Sequence, residues 1–481
     1  MDVKMKRLSD TLWEIPKSGK MRVPGRIYSS DKLMEALAGD QSPEQVANVA
    51  HLPGIINYSM AMPDMHYGYG FPIGGVAATD PDEGGVISPG GVGYDISCGI
   101  RVAATNFEYE DVKDRLRDLV KLLYQHIPSG VGSSGAIRKL SKAELDRLLV
   151  MGAKWALERG YGVGEDLAHT EEGGCIEGAD PGQLSERAIK RGLDQVGTLG
   201  SGNHFMEIGV VDTIFDSGTA EVFGLRENGV VVWVHSGSRG LGYQVCDDFL
   251  KVMGQAVHKY GIELPDRQLA CAPLDAPEAK NYVSAMKCAA NYAYANRQIM
   301  MDLVRRTWQE AWNIAPSELG LKLVYDVAHN IARFEEHQVG GKKKVVCVHR
   351  KGATRSFPAG HPDVPEDYRA VGQPVLVPGD MGTASFVLVG TSKAMTETFG
   401  STCHGAGRVM SRSKAKKQAR GRAIYRELED QGIYVRARGR NSLAEELPEA
   451  YKDVDEVVEA VHRAGLSRKV ARIRPVGVVK G

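Results

Sequence analysis

The stretch SPGGVGYDISCG, residues 88–99, decides how the rest of the chain is read. Gly90, Gly91, Gly93 and Gly99 surround Asp95 and Cys98, which stand three residues apart. Glycine lets the backbone approach a ligand closely and reach positive φ. Two side chains at this offset share one side of a tight turn. A carboxylate and a thiolate so placed are half of a metal site, and the rest must come from imidazoles elsewhere. Taken alone, the pair reads as a glycine-rich turn around a buried free cysteine. Four histidines in Gly- or Asn-rich settings, His204, His235, His329 and His404, move the reading to a metal site.

Working outward, the chemistry-bearing residues run from Asp64 to Arg408. Convergence of so scattered a set needs one large interwoven domain over 1–481, not a row of modules. Strands and helices are both plentiful but do not alternate cleanly. That favours α+β, with mixed β-sheets surrounded by helices, over a doubly wound fold. Amphipathic spacing predicts helices over 110–127 and 141–159, the latter opened by a capping box at Ser141 and Glu144. Further helices are predicted over 279–313 and 453–464. Short apolar runs predict strands in 51–105, at 230–235, 322–328 and 342–349, and twice in 373–390. Residues 160–200, polar, acidic and glycine-rich, read as a surface excursion.

Lys+Arg and Asp+Glu both number 60, so no global basic coat marks a nucleic-acid binder, although a local groove is allowed. Seven cysteines without a CxxC are a reducing-compartment pattern, not a disulfide framework or zinc ribbon. The first residues lack a signal-peptide apolar core, and no apolar run reaches membrane-spanning length. The expectation is a cytoplasmic protein with no membrane partner.

Asp95, Cys98, His204, His235 and His329 offer five ligands, more than one tetrahedral ion needs. Two ions bridged by the thiolate would use them all, and a single structural zinc is the rival reading. One sulfur among nitrogens and an oxygen suits Mn²⁺ or Zn²⁺ better than copper. His349 reads as a surface loop residue or a phosphate contact, and His258, His361 and His462 as surface. In GSTCHGAGRVMSR (400–412), small residues flank His404 and leave its ring open to a bulky ligand, with Arg408 and Arg412 available for phosphate. Residues 408–422 hold seven basic and no acidic residues, either a solvated helix face or a nucleic-acid backbone groove. GTLGSGNH lacks the Lys-Ser/Thr of a P-loop, and no clear strand precedes it.

The stretches MPDMHYGYGFPIGG, SPGGVGYDISCG, GSGNHFMEIG, VHSGSRGLG, YDVAHN, VHRKGATR, PGDMGTAS, STCHGAGR and RPVGVVKG together resemble the RtcB family of RNA ligases, in family order over nearly the whole chain. The resemblance implies a GTP- and Mn²⁺-dependent enzyme of tRNA splicing and RNA repair. It would join RNA 3′-phosphate or 2′,3′-cyclic phosphate ends, such as tRNA exon halves, to 5′-hydroxyl ends. It implies that His404 carries GMP and that Asp95, Cys98, His204, His235 and His329 hold two Mn²⁺ ions, with Cys98 bridging. It makes Asn203, Phe205, Glu207, Asn330, Asp380, Ser385, Ala406, Gly407, Tyr451 and Lys480 nucleotide contacts. The family pattern has serine where this chain has Asp380. Lys480, read without the resemblance, is a frayed terminus. A small stimulating partner, archease, accompanies many family members. A dinuclear phosphodiesterase and a non-catalytic RNA-binding protein are the alternatives, disfavoured by His404 and by the full ligand set respectively.

Overall fold

The computed structural model describes residues 3–37 and 39–481. Val- and Ile-rich runs form two large sheets among them. One has seven strands, in the order Lys6–Ser9, Leu12–Ile15, Gly25–Tyr28, Ser59–His66, Ile73–Thr79, Lys342–Lys351 and Asn330–Val339. The other has eight. Its order is Lys322–Ala328, Gly99–Glu108, Gly229–Ser236, Phe205–Ile214, Ser467–Lys480, Ser385–Gly390 and Pro374–Val377, and Tyr434–Ala437 pairs in parallel with Ser467–Lys480. Helices and mixed sheets together form one large α+β domain. No helix among the described residues is long and apolar enough to cross a membrane.

The register of the larger sheet builds the site. Ala328 lies opposite Gly99, Gly99 opposite Ser236, His235 opposite Phe205, and Phe205 opposite Lys480. Five adjacent strands therefore end together, and Cys98, His204, His235, His329 and Lys480 gather at that end. Behind them runs the helix Pro277–Trp312, opened by proline at its first position and closed by Asn313 at φ +51°. Its alanine-rich middle is buried between the elements packed on it. Short residues there let neighbouring elements approach closely while keeping full helix propensity.

Several expectations needed correction. The 110–127 helix is divided into Tyr109–Val112 and Leu116–His126, with a 3₁₀ turn between them. The 141–159 helix has its predicted capping box, but Gly152, at φ +58°, breaks it into Lys142–Met151 and Ala153–Glu158. Residues 160–200 are no mere surface excursion: Asp166 and Glu171 are buried, paired with Arg305 at 2.5 Å and Arg333 at 3.0 Å. Their polarity serves buried arginines, a partnership that composition does not disclose. His349 is fully buried, because its strand is interior to the seven-stranded sheet, and it accepts the Ser88 N–H at 3.2 Å. Burial brings its pKa down to about 4. His258 is exposed, but His361 and His462 are half-buried, His361 against the Phe357 ring. The chain end is not frayed: Ser467–Lys480 is an inner strand and Lys480 is buried. Its partner strands, Phe205–Ile214, Ser385–Gly390 and Tyr434–Ala437, all lie outside RPVGVVKG and its neighbours, so local reading of that stretch could not reveal them.

Candidate active site

Cys98 sits in the turn between Asp95 and the strand Gly99–Glu108. Ser97 adopts φ +56°, a left-handed conformation that costs a non-glycine residue on the order of 1 kcal/mol. Cys98 Sγ lies 3.4 Å from His204 Nε2 and 3.2 Å from His235 Nε2. His204 Nε2 is 2.8 Å from Asp95 Oδ2, and its Nδ1 lies 2.9 Å from the Leu199 carbonyl, which fixes the ring. The Ser238 N–H donates to Asp95 Oδ1 at 3.1 Å, where the helix Arg239–Lys259 begins. An anion is favoured at that helix start. Gly237 is required there, since a Cβ would come within 2.4 Å of Asp95 Oδ1.

The row of rings continues. His235 and His329 centroids are 5.2 Å apart, and His329 and His404 centroids 4.8 Å. The strand Ser401–Cys403 delivers His404 to the end of this row. There Asp64 Oδ2 receives the His404 and Gly405 backbone N–H groups at 2.9 and 3.2 Å and lies 2.6 Å from His404 Nδ1. With Nδ1–H donated to Asp64, the ring keeps its lone pair on Nε2. Gly407, at φ +73°, passes so close that a Cβ would lie 2.1 Å from the Asp64 carbonyl. Buried Lys452 donates to the Pro63 and Met65 carbonyls at 2.9 and 2.6 Å and pins the segment around Asp64.

Burial shifts these groups in one consistent way. It holds His235 and His329 well below the usual imidazole range, so both are neutral. It pushes the Cys98 thiol well up. Burial alone would raise Asp95, but neighbouring His204 and Arg239 outweigh it and hold the carboxyl below its ordinary value. The Nδ1 atoms of His235 and His329 are buried without a hydrogen-bond partner. A thiol with the Nε2 atoms of His204 and His235 turned towards it, beside a carboxylate, fits a cation that binds nitrogen and sulfur. Among the described residues, the donor atoms of Cys98, His204 and His235 all lie within 4.8 Å of one another.

The row opens into a cavity of about 770 Å³, lined by Asp95, Cys98, His235, His329 and His404 on one side. Asn203, Phe205, Glu207, Tyr451 and Lys480 line the other side, with Ala406 and Gly407 beside His404. Asn330 ties the Asp95 turn to Gly352 beside His404, donating to the Asp95 carbonyl at 3.1 Å and accepting the Gly352 N–H at 2.8 Å. Ser385 lies behind Glu207 and donates to its Oε1 at 3.4 Å. Burial pushes the Glu207 carboxyl up to about 8 and brings Lys480 down to about 8. Asp380 lines the cavity but uses its acceptors on its own turn, taking the Gly382 N–H and the Thr383 hydroxyl, each at 2.8 Å. The structure thus gathers around one cavity the carboxylate, thiol and imidazoles read from the sequence and the residues that the resemblance names, with His204 and Ser385 just behind its lining.

Two residues without an assigned role join them. Asp64, marked by the glycine-rich stretch MPDMHYGYGFPIGG, has no role that the sequence alone assigns. Glu446 is buried in the cavity wall, 3.2 Å from Arg408 and 3.3 Å from Arg412, and accepts from the Tyr451 hydroxyl. Nothing in NSLAEELPEA singles it out. The basic run 408–422 proves to be divided. Arg408, Arg412, Lys416 and Arg422 face Glu445, Glu446, Glu427 or Glu449, whereas Lys414, Lys417 and Arg420 are exposed with no acidic partner among the described ion pairs.

The family model described as tRNA-splicing ligase RtcB matches residues 45–481. The chain belongs to the RtcB family. It is 58% identical over 479 residues to the tRNA-splicing ligase RtcB of Archaeoglobus fulgidus, covering 99% of both chains. It is 55% identical over 480 residues to the tRNA-splicing ligase RtcB of Thermococcus kodakarensis, covering 100% of this chain and 99% of that one. The RNA-splicing ligase RtcB of Mycobacterium tuberculosis is 52% identical over 438 residues, 91% of this chain and all of its own. The RtcB match begins beyond the first three strands, so the ligand row, His404 and the cavity all lie within it.

Proposed function

We propose that this RtcB-family protein is a GTP-dependent RNA ligase of tRNA splicing and RNA repair, joining RNA 3′-phosphate or 2′,3′-cyclic phosphate ends to 5′-hydroxyl ends. The observation that carries this reading is His404, its Nδ1 held by Asp64, placed in a nucleotide-sized cavity beside the thiol–imidazole row. Asp64 keeps the proton on Nδ1 and leaves Nε2 as the nucleophile toward the α-phosphorus of GTP. A P–N bond forms there and pyrophosphate leaves. A 3′-phosphate oxygen of RNA then takes the guanylyl group, breaking the P–N bond and freeing His404. The 5′-hydroxyl attacks the activated 3′-phosphorus and GMP leaves. Asp95, Cys98, His204, His235 and His329 would hold two Mn²⁺ ions. When bound, these ions supply charge neutralisation and polarisation at phosphate oxygens.

The other wall selects guanine. Glu207 accepts from the guanine ring N–H groups and Lys480 donates to O6, a position where adenine carries a donor instead. Asn203, Phe205, Asn330, Ser385, Ala406, Gly407 and Tyr451 complete the nucleotide site. Asp380 contributes its turn backbone more than its carboxylate, whose oxygens are already engaged. Archease is the candidate stimulating protein, checked by adding it to the joining assay. Seven free cysteines suit a reducing compartment, the cytoplasm.

Incubation with α-labelled GTP and Mn²⁺ tests the reading. Labelled protein is expected from the wild type and none from His404→Ala. RNA already bearing a 3′-terminal guanylyl pyrophosphate should be sealed by His404→Ala, because the imidazole is then no longer needed. A phosphodiesterase built on the same row would give no labelled protein and no sealing.

A further inference from the structure

The helix Pro277–Trp312 supplies none of the residues that line the cavity, yet two successive side chains reach from it to the backbone around the ligand row. Arg297 is completely buried. Its Nη1 donates to the Ser97 carbonyl at 2.7 Å and to the Ser236 carbonyl at 3.0 Å. These residues stand immediately before Cys98 and immediately after His235. Its Nε and Nη2 grip Asp326 Oδ1 at 3.0 and 2.8 Å, on the strand that ends just before His329. Next to it, Asn296 Oδ1 accepts the Gly197 and Thr198 N–H groups at 2.7 and 3.1 Å, in the loop leading to His204. Its Nδ2 donates to Ser236 Oγ at 3.0 Å and to the Gly237 carbonyl at 3.2 Å.

We propose that Arg297 is a positioning residue whose guanidinium fixes the separation of the Cys98, His235 and His329 segments and thereby sets the affinity and geometry of the metal centre. The inference rests on the metal reading of the row. Its warrant is the rigid planar fork of arginine, whose donors cannot move relative to one another. One edge holds two ligand-bearing turns and the other edge holds the strand of a third, so covalent geometry, rather than side-chain packing, spaces them. The Ser97 turn needs such a hold: its left-handed φ is unfavourable, and its own hydroxyl is buried without a partner. Asp326 keeps the guanidinium charged and oriented, and Arg101 Nη1, 3.4 Å from Asp326, supports it from behind. Lysine, a single point donor, could meet one carbonyl but could not span the set.

Two variants of the full chain test this. Arg297→Lys keeps the charge and removes the fork. Arg297→Met combined with Asp326→Asn removes the two paired buried charges together and leaves an amide oxygen for Arg101. Each is freed of metal and compared with the wild type by thermal melting, by Mn²⁺ titration followed by electron paramagnetic resonance, and by the Co²⁺–thiolate absorption of the cobalt-loaded protein. Both variants are expected to bind Mn²⁺ roughly 10–100-fold more weakly, the range for lost supporting contacts. Their Co²⁺–thiolate bands should shift, with the metal-free melting of the double variant close to that of the wild type. A folded variant with wild-type Mn²⁺ affinity and an unchanged cobalt band overturns the proposal and leaves Arg297 as part of the core alone. A wild type that binds neither Mn²⁺ nor Co²⁺ would instead overturn the metal reading beneath it.

Discussion

Asp95, Cys98, His204, His235 and His329 form one buried polar cluster; Glu171, Arg333, Glu335, Arg350 and Arg355 form another, against the same strand end. In the second, opposite charges meet one another. Arg350 meets both Glu335 oxygens at 2.7 Å, and Glu171 takes Arg333 at 3.0 Å and Arg355 at 2.6 Å. Burial alone would raise the Glu335 carboxyl, but Arg350 outweighs it and holds the group far below its ordinary value. The first has no such set of opposed charges: burial holds His235 and His329 well below the usual imidazole range and pushes the Cys98 thiol well above its own. Where buried charges of opposite sign meet, the cluster is scaffold. Where nitrogen and sulfur donors converge beside one carboxylate, the cluster suits a cation.

Substitutions should separate the two clusters. Cys98→Ala should remove bound Mn²⁺ and nucleotide transfer together, with metal affinity down more than about 100-fold, beyond the loss of a mere supporting contact. Equilibrium dialysis against Mn²⁺ reads it, and two ions retained at full activity would make the cluster scaffold after all. Asp64→Ala should keep Mn²⁺ but slow labelling of His404 by about 10²–10⁴-fold, the range for a positioned proton-transfer group. Rapid-quench labelling with GTP measures it.

Arg350→Met should do the reverse of Cys98→Ala. Leaving Glu335 buried without its two-point partner should cost about 3 kcal/mol in denaturant unfolding, with Mn²⁺ affinity unchanged. A large loss of metal would erase the distinction between the clusters.

The guanine wall adds a pH signature. With its carboxyl raised to about 8 by burial, Glu207 carries a proton at pH 7 in the free protein. Guanine N–H groups need the carboxylate, so binding below pH 8 must release that proton. GTP affinity should therefore rise with pH from 6 towards 8, by up to about tenfold per unit, and stop rising there, where Lys480, brought down to about 8, loses the charge it offers to O6. Titration with a non-hydrolysable analogue tests this, and Glu207→Gln should flatten the rise.

The smallest effect belongs to the exposed half of the basic run. Lys417→Glu with Arg420→Glu should weaken RNA joining a few-fold at low salt, and the salt slope of RNA binding should flatten by about 0.7 per lost phosphate contact. Unaltered binding at low salt would make this face plain solvated helix.

The sequence by itself determined what is local. The periodic apolar spacing of the helix Val454–Ala464, the Ser141–Glu144 capping box and the valine run of Gly229–Ser236 each declare their structure within a dozen residues. The site residues were legible too, because Asp95, Cys98 and the four histidines sit in glycine-rich stretches whose length and order are specific. What those stretches do not contain is their partners. His349 and His404 both follow a β-branched or small run containing cysteine. One is sealed inside a sheet and the other caps the end of a short strand beside Asp64, 340 residues earlier in the chain. Lys480 looks like a loose end until Phe205 pairs with it, and Arg297 looks like any helix arginine until three ligand segments close around it. Which strand lies beside which, and in what register, is fixed by burial across the whole domain. The tertiary structure alone therefore decided which buried charges meet one another and which donors converge on one point.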